Sequence, residues 1–409
     1  MSRPVPATTK RVRGTGGISV VLGLWLTGIF TAPLAARIYF GMGITIGGDA
    51  SEGTPLLLAT LVVAVLWPLV FFMFSRNRFI PRLPAPSRFM AILFFVLFGA
   101  LSIFASPVMF QSIAYFCMTL AGFLLVMQFN SNLSHEQYER GLKIFSVLTT
   151  ATLIMFALYD YKPGLRLGNG RDILNPNAIS IVGVSAVLAA YAIRTAIIRY
   201  LVAAAGIAVI ALTGSRASMV AALAGLFIIF LIRLKGVKTR TKFAIFGSIA
   251  VVALIGGYFS DVLLDSLGDF FALHSRYRGI EAGASGRFLL WRETWQLFLD
   301  NPVIGVGFRA HEYIIKVGTS AHNGYLAMLA EIGLFGFASV IYLIVTGLGS
   351  LWRETKDPNL TWAYSVLVGI CFGYLFLATF ERYLINIGNP TSLLFLLGIL
   401  RPARSSKSA

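Results

Sequence analysis

Apolar residues in this chain fall in long unbroken runs, separated by short segments that hold most of the charges. Runs near 18–40, 55–74, 88–105, 108–128, 143–159, 177–193, 198–213, 217–232, 243–260, 322–348, 361–380 and 388–400 approach the ~20 residues a helix needs to cross a bilayer. The helices of a soluble bundle would carry a polar face repeating every third or fourth residue, and these runs do not. They predict an all-α polytopic membrane protein with about twelve transmembrane helices, counted from those runs. The pair around 198–232 and the last run fall furthest short of a straight span.

Composition agrees. The chain has 409 residues, 57% hydrophobic and 12% charged, with a mean hydropathy of +0.79. Soluble domains carry about 25% charged residues, so half the usual solvated surface is missing. A net charge of +17 would suggest nucleic acid for a soluble protein. Here the basic residues lie between apolar runs, where they set topology and meet anionic headgroups, so the bilayer is the expected partner and nucleic acid is not. Cys117 and Cys371 both sit inside apolar runs, which excludes a disulfide framework or a thiolate metal site.

The basic N-terminus (Lys10, Arg11, Arg13) leads into an apolar stretch too long for a signal-peptide core, so the first run reads as a retained span. With the N-terminus inside, cytoplasmic segments hold Arg76, Arg78, Arg82 and Arg88, then Arg233, Lys235, Lys238, Arg240 and Lys242, then Arg401, Arg404 and Lys407. The opposite loop 41–54 has no Lys or Arg. This positive-inside asymmetry fits an even number of spans. The expected organisation is a cytoplasmic basic segment 1–17, helices over 18–260, a large periplasmic loop 261–321, helices over 322–400 and a cytoplasmic tail 401–409.

Two outer loops break the charge rule. The loop 160–176 carries Lys162, Arg166 and Arg171, and 261–321 carries Arg276, Arg278, Arg287, Arg292, Arg309 and Lys316. Long loops translocate regardless of charge. The short one calls for another reason, and an anionic substrate at that face supplies it. Within the long loop, Ser285 to Asp300 reads as a helix that Asn301-Pro302 ends. Its Phe288, Trp291, Trp295, Phe298 and Leu299 suit an element lying on the membrane surface, or one packed as an ordinary loop helix.

Three positions could carry chemistry. Arg216, in Thr213-Gly214-Ser215-Arg216, lies at the outer end of a predicted hairpin, where small neighbours allow close approach and a guanidinium either snorkels or meets an anion. Arg287 falls in the first turn of the surface helix, where free N–H groups also favour an anion and two parallel hydrogen bonds can hold a phosphate. His322 opens an apolar run at the outer boundary, placed for proton transfer or for a structural hydrogen bond. The four histidines show no metal-ligand spacing, Gly305-Val306-Gly307 lacks the third glycine of a nucleotide loop, and no cofactor or metal is implied. Glu331, nine residues beyond His322, is expected to pair with another helix.

In order along 165–345 stand Asn175-Pro176-Asn177, Thr213-Gly214-Ser215-Arg216, Ser285-Gly286-Arg287 with Trp291, Asn301-Pro302 with Gly305 and Gly307, Ser320-Ala321-His322-Asn323, and Glu331 with Gly333 and Gly336. This series resembles the O-antigen ligase/polymerase family. The resemblance implies a metal-independent, GT-C-like inverting glycosyltransferase of the bacterial inner membrane, its site facing the periplasm. The implied donor is a glycan on undecaprenyl pyrophosphate and the implied acceptor a glycan or lipid A-core hydroxyl. Arg216 and Arg287 would hold the pyrophosphate, His322 would activate the acceptor, and Arg171 and Arg309 would be helpers. Ligases and polymerases of the family differ only in acceptor, and the reading leans to ligase with polymerase as its alternative. A polysaccharide transporter or flippase is the rival class. Its ionisable residues would sit at the membrane midplane among internal repeats, and neither pattern is visible here.

Overall fold

A computed structural model describes residues 16–40, 61–74, 81, 83–234, 283–315, 320–358, 360–382 and 384–402. The expected span at 243–260, Arg276, Arg278, Lys316 and most of both predicted cytoplasmic ends lie outside these residues. All the described elements are helical. They are α1 (Gly16–Phe40), a π-helical turn (Val62–Leu66) running into α2 (Trp67–Phe74), α3 (Pro86–Ile103), α4 (Met109–Asn132), α5 (His135–Asp160), α6 (Pro176–Ala190), α7 (Ala196–Thr213) and α8 (Arg216–Leu234). After the gap come α9 (Gly283–Asp300), α10 (His311–Ile314), α11 (Gly324–Glu354), α12 (Thr361–Ala378) and α13 (Pro390–Ile399). Seven of them (α1, α3, α4, α5, α7, α8 and α11) are long and apolar enough to cross a membrane. The chain is a polytopic membrane protein.

The shorter apolar helices are not failed spans. Every residue of α13 is buried, as is almost all of α6. A helix wrapped by other helices has its backbone ends satisfied by protein, so it need not match the bilayer's thickness. Asn389 and Asn175 cap these two helices through their side-chain oxygens, each with proline at the first helical position. The longer helices form the outside and leave Phe110, Met155, Leu158, Leu201, Phe227 and Val345 exposed, as lipid-facing surfaces require.

The hairpin α7–α8 turns at Gly214, whose φ of 59° is left-handed and closes the first helix. From there α8 runs antiparallel to α12 at a spacing that only glycine permits. A Cβ on Gly225 would lie 2.8 Å from the Gly369 carbonyl, and one on Gly373 would lie 3.1 Å from that of Ala221. Extending this register by one turn brings Arg216 to the level of Ala378. At the other end Arg233 donates to the carbonyl of Trp362 and to the Ser365 hydroxyl.

The bundle thus has two chemically distinct ends. One gathers Arg88, Arg194 with Glu139, Arg233, and Arg401 with Glu354. The other gathers the end of α3, the loop 161–175, the Gly214 turn, the segments 301–315 and 320–323, and the segment after α12.

Candidate functional site

The second end is organised by a break in α11. At Gly333 the backbone adopts φ 69° and ψ −178°, a region essentially reserved for glycine, so the helix cannot continue its ladder through this point. The loop after α9 supplies the missing partners. Val306 N–H donates to the Ala330 carbonyl at 2.9 Å, Gly307 N–H to that of Glu331 at 3.1 Å, and Leu334 N–H to the Pro302 carbonyl at 2.8 Å. Close docking explains the loop's glycines: a Cβ on Gly305 would meet the Glu331 carbonyl, and one on Gly307 would meet Ser106.

Gly333→Ala tests this docking. Its Cβ would come within 2.2 Å of the Val303 carbonyl oxygen. Strain alone costs about 1–3 kcal/mol, so the detergent-solubilised protein should melt several degrees lower. Gly349→Ala, in the same helix with nothing within 4 Å of the added methyl, should melt at or above the wild-type temperature. Equal melting of the two variants would contradict the docking role of Gly333.

The docked loop carries α10, and α10 carries His311. Its Nδ1 lies 2.5 Å from Glu331 Oε1, with both side chains buried. Glu331 therefore pairs as expected, but with a histidine from the loop rather than from a spanning helix. The neighbouring Glu312 faces Arg382 at 3.6 Å, which ties the loop to the segment after α12.

His322 precedes the cap of α11, where Asn323 Oδ1 accepts from the N–H groups of Tyr325 and Leu326. Its backbone is left-handed, with φ 46°. The ring is partly buried, and Nδ1 has no hydrogen-bond partner among the described residues. Burial first, and then the charges of Arg382 and Arg287, push its pKa down to about 4. The imidazole is therefore neutral at physiological pH and holds a free lone pair beside two guanidinium groups.

Arg287 is brought to this histidine, and its guanidinium sits over the Phe380 ring at 5.6 Å. Burial lowers its pKa, opposed by the charge of Glu381. One expectation needs correction. Helix α9 begins at Gly283, so Arg287 is its fifth residue and lies beyond the four free N–H groups of the first turn. Glu381, which the sequence did not single out, is pushed up to about 7 by burial, against Arg287 and Arg382.

Arg216 begins α8 at the same end of the bundle, at the level where α12 gives way to Glu381. The loop arginine against its turn is Arg166, which donates to the Thr213 carbonyl and to Asn177 Oδ1. Arg171 instead stacks over Tyr159 at 4.1 Å and donates to that residue's carbonyl. Arg309 is buried, with φ 62°, donating to the Ile385 carbonyl and lying over Tyr115. The structure thus sets His322 and Arg287 together, adds Arg382 and Glu381, and ties Arg171 and Arg309 to backbone carbonyls. No group of three or more His, Cys, Asp or Glu side chains able to hold a metal occurs among the described residues.

Helix α9 buries Leu290, Thr294 and Phe298, with Phe298 packing on Leu329 and Ala330 of α11. Phe288, Trp295 and Leu299 stay exposed, so the aromatic face expected from the sequence is split between protein and surroundings.

Residues 201–341 match the family described as O-Antigen ligase. That stretch, well under half of the chain, is where it is similar to the O-antigen ligase family. It contains Arg216, Arg287 and His322, together with His311, Glu331 and the break at Gly333. The chain is also similar to the exopolysaccharide production protein ExoQ of Rhizobium meliloti (strain 1021), at 25% identity over 28% of each protein. The match thus spans well under two thirds of that relative's length.

Proposed function

We propose that this protein acts in surface polysaccharide biosynthesis, moving a glycan from undecaprenyl pyrophosphate to an acceptor hydroxyl at the outer face of the inner membrane. The observation that carries the reading is a neutral histidine beside Arg287 and Arg382 at one end of a membrane bundle, within or next to the family-matched stretch. In this reading the end that carries His322 faces the periplasm and the exposed aromatics of α9 rest in the headgroups.

The acceptor oxygen attacks the anomeric carbon as the bond to the diphosphate oxygen breaks, with inversion. His322 takes the hydroxyl proton and the lipid diphosphate leaves with the bonding pair. Arg287 and Arg216 stabilise the charge that develops on its oxygens. Burial first, and then neighbouring cations, make this histidine a weak base in the empty site. Donor binding offsets the second cause, because the diphosphate's negative charge opposes the arginines and raises the imidazole's affinity for a proton. Base strength is thereby coupled to donor occupancy, which also protects against idle proton uptake.

A deletion strain tests the proposal. Surface polysaccharide is resolved on gels and lipid-linked intermediates are extracted. Full-length glycan stranded on the carrier would identify a ligase. Unextended single repeats reaching the acceptor would identify a polymerase. No change in either pool would remove the transferase reading and bring a transporter forward.

A further inference from the structure

We infer that the buried His311–Glu331 pair is the positioning device for His322, fixing the backbone from which that imidazole is presented. The inference rests on the proposed role of His322 as proton acceptor.

The hydrogen bonds have one consistent direction. Glu331 lies against His311 Nδ1, and Ala321 N–H points at His311 Nε2 from 3.4 Å. An N–H can only donate, so Nε2 accepts and the ring proton sits on Nδ1, where the Glu331 carboxylate accepts it. The Ser320 hydroxyl lies 3.5 Å from the same Nε2, and His322 N–H lies 3.5 Å from the Ser320 oxygen. The Ser320 oxygen accepts from His322 N–H, its O–H shares the single Nε2 lone pair with Ala321 N–H, and His311 donates to Glu331. Ser320, Ala321 and His311 are fully buried, so no solvent competes for these bonds.

The relay has a task to do. His322 is a non-glycine residue at φ 46°, a conformation a chain leaves unless its surroundings hold it. Asn323 fixes the downstream side by capping α11, and the His311 contacts fix the upstream side. Glu331 sits two turns into the same helix, just before the break at Gly333 that docks the loop carrying His311. The segment preceding α11 is thus tied to α11's own second turn through a residue of another element. Stability alone does not explain the arrangement, since a buried ionic pair is commonly no more stabilising than an apolar replacement. A fixed protonation pattern and direction are what the pair offers beyond an apolar contact.

The test compares Glu331→Leu, Glu331→Gln and Ser320→Ala with wild type and His322→Ala. The readout is release of undecaprenyl pyrophosphate from lipid-linked glycan extracted from the deletion strain. Glu331→Leu leaves Nδ1–H without an acceptor and should lower kcat by about 100-fold, the effect of a displacement of roughly 1 Å at a reacting group, with donor KM unchanged. Glu331→Gln keeps an acceptor for Nδ1–H and should recover most of that loss. Ser320→Ala removes one oxygen without disturbing packing and should lower kcat about three- to tenfold at constant donor KM, as expected for loss of one hydrogen bond. If Glu331→Leu does not accumulate, Ser320→Ala decides. Wild-type kcat in the deciding variant overturns the inference, as does a parallel rise in KM or failure of Glu331→Gln to rescue. Activity retained in His322→Ala would instead overturn the proton-acceptor reading itself, so the two failures are separable.

Discussion

His322→Ala should abolish glycan transfer while the protein still inserts, accumulates and binds donor. General-base catalysis contributes about 100- to 10,000-fold, and among the described residues His311 cannot replace it, because that ring is buried and engaged with Glu331. The pH profile carries a second signature. Only the neutral ring can accept a proton, and its pKa is held at about 4 in the empty site. The acid limb of kcat/KM, which reports the free enzyme, should therefore lie near pH 4 rather than near the ordinary value of about 6.5. The acid limb of kcat should lie higher, because bound diphosphate screens Arg287 and Arg382. Coincident limbs would mean that the donor does not sit between the arginines and the histidine. Transfer surviving in His322→Ala at wild-type rate would mean that the proton leaves by another route.

The sequence showed the membrane architecture because its signal is additive: each span needs only a sufficient length of apolar residues. The hairpin α7–α8 was among the shortest runs, yet Gly214 marked its turn and both arms are membrane-length helices in the structure. The helix before Asn301-Pro302 was also legible, although its start lay two residues earlier than Ser285.

Much of the site could not be read this way because it depends on contacts distant in sequence. The partnership of His311 with Glu331 requires the break at Gly333, and a glycine within an apolar run gives no hint of a left-handed backbone. Glu381 and Arg382 follow the apolar helix α12 at a point where charges ordinarily mark a boundary. Their closeness to Arg287 exists only because α9 folds back over that boundary. Arg166 and Arg171 were equivalent cations in one short loop. What separates them is that Arg166 reaches the Thr213 carbonyl while Arg171 turns to Tyr159.

Arg287→Lys should lower kcat/KM roughly 100-fold or more, although charge is preserved, and Arg287→Ala should fall further. Lysine offers a point charge with three donors, whereas guanidinium presents a planar fork that can hold two oxygens of one phosphate. Lysine is also worse suited to the contact with the Phe380 ring, over which the guanidinium lies at 5.6 Å. The balance at this arginine turns on Glu381. Its carboxyl loses its proton as pH rises through about 7, and the carboxylate then competes with diphosphate for Arg287 and Arg382. Donor KM should accordingly rise above pH 7 in wild type and stay flat in Glu381→Gln, which cannot ionise. Arg287→Lys should retain the pH dependence at a higher KM, because its cation still faces Glu381. Wild-type kcat/KM in Arg287→Lys would reduce the residue to a source of charge and remove bidentate binding from the mechanism. A donor KM independent of pH in wild type would place the diphosphate away from Glu381, and with it away from Arg287.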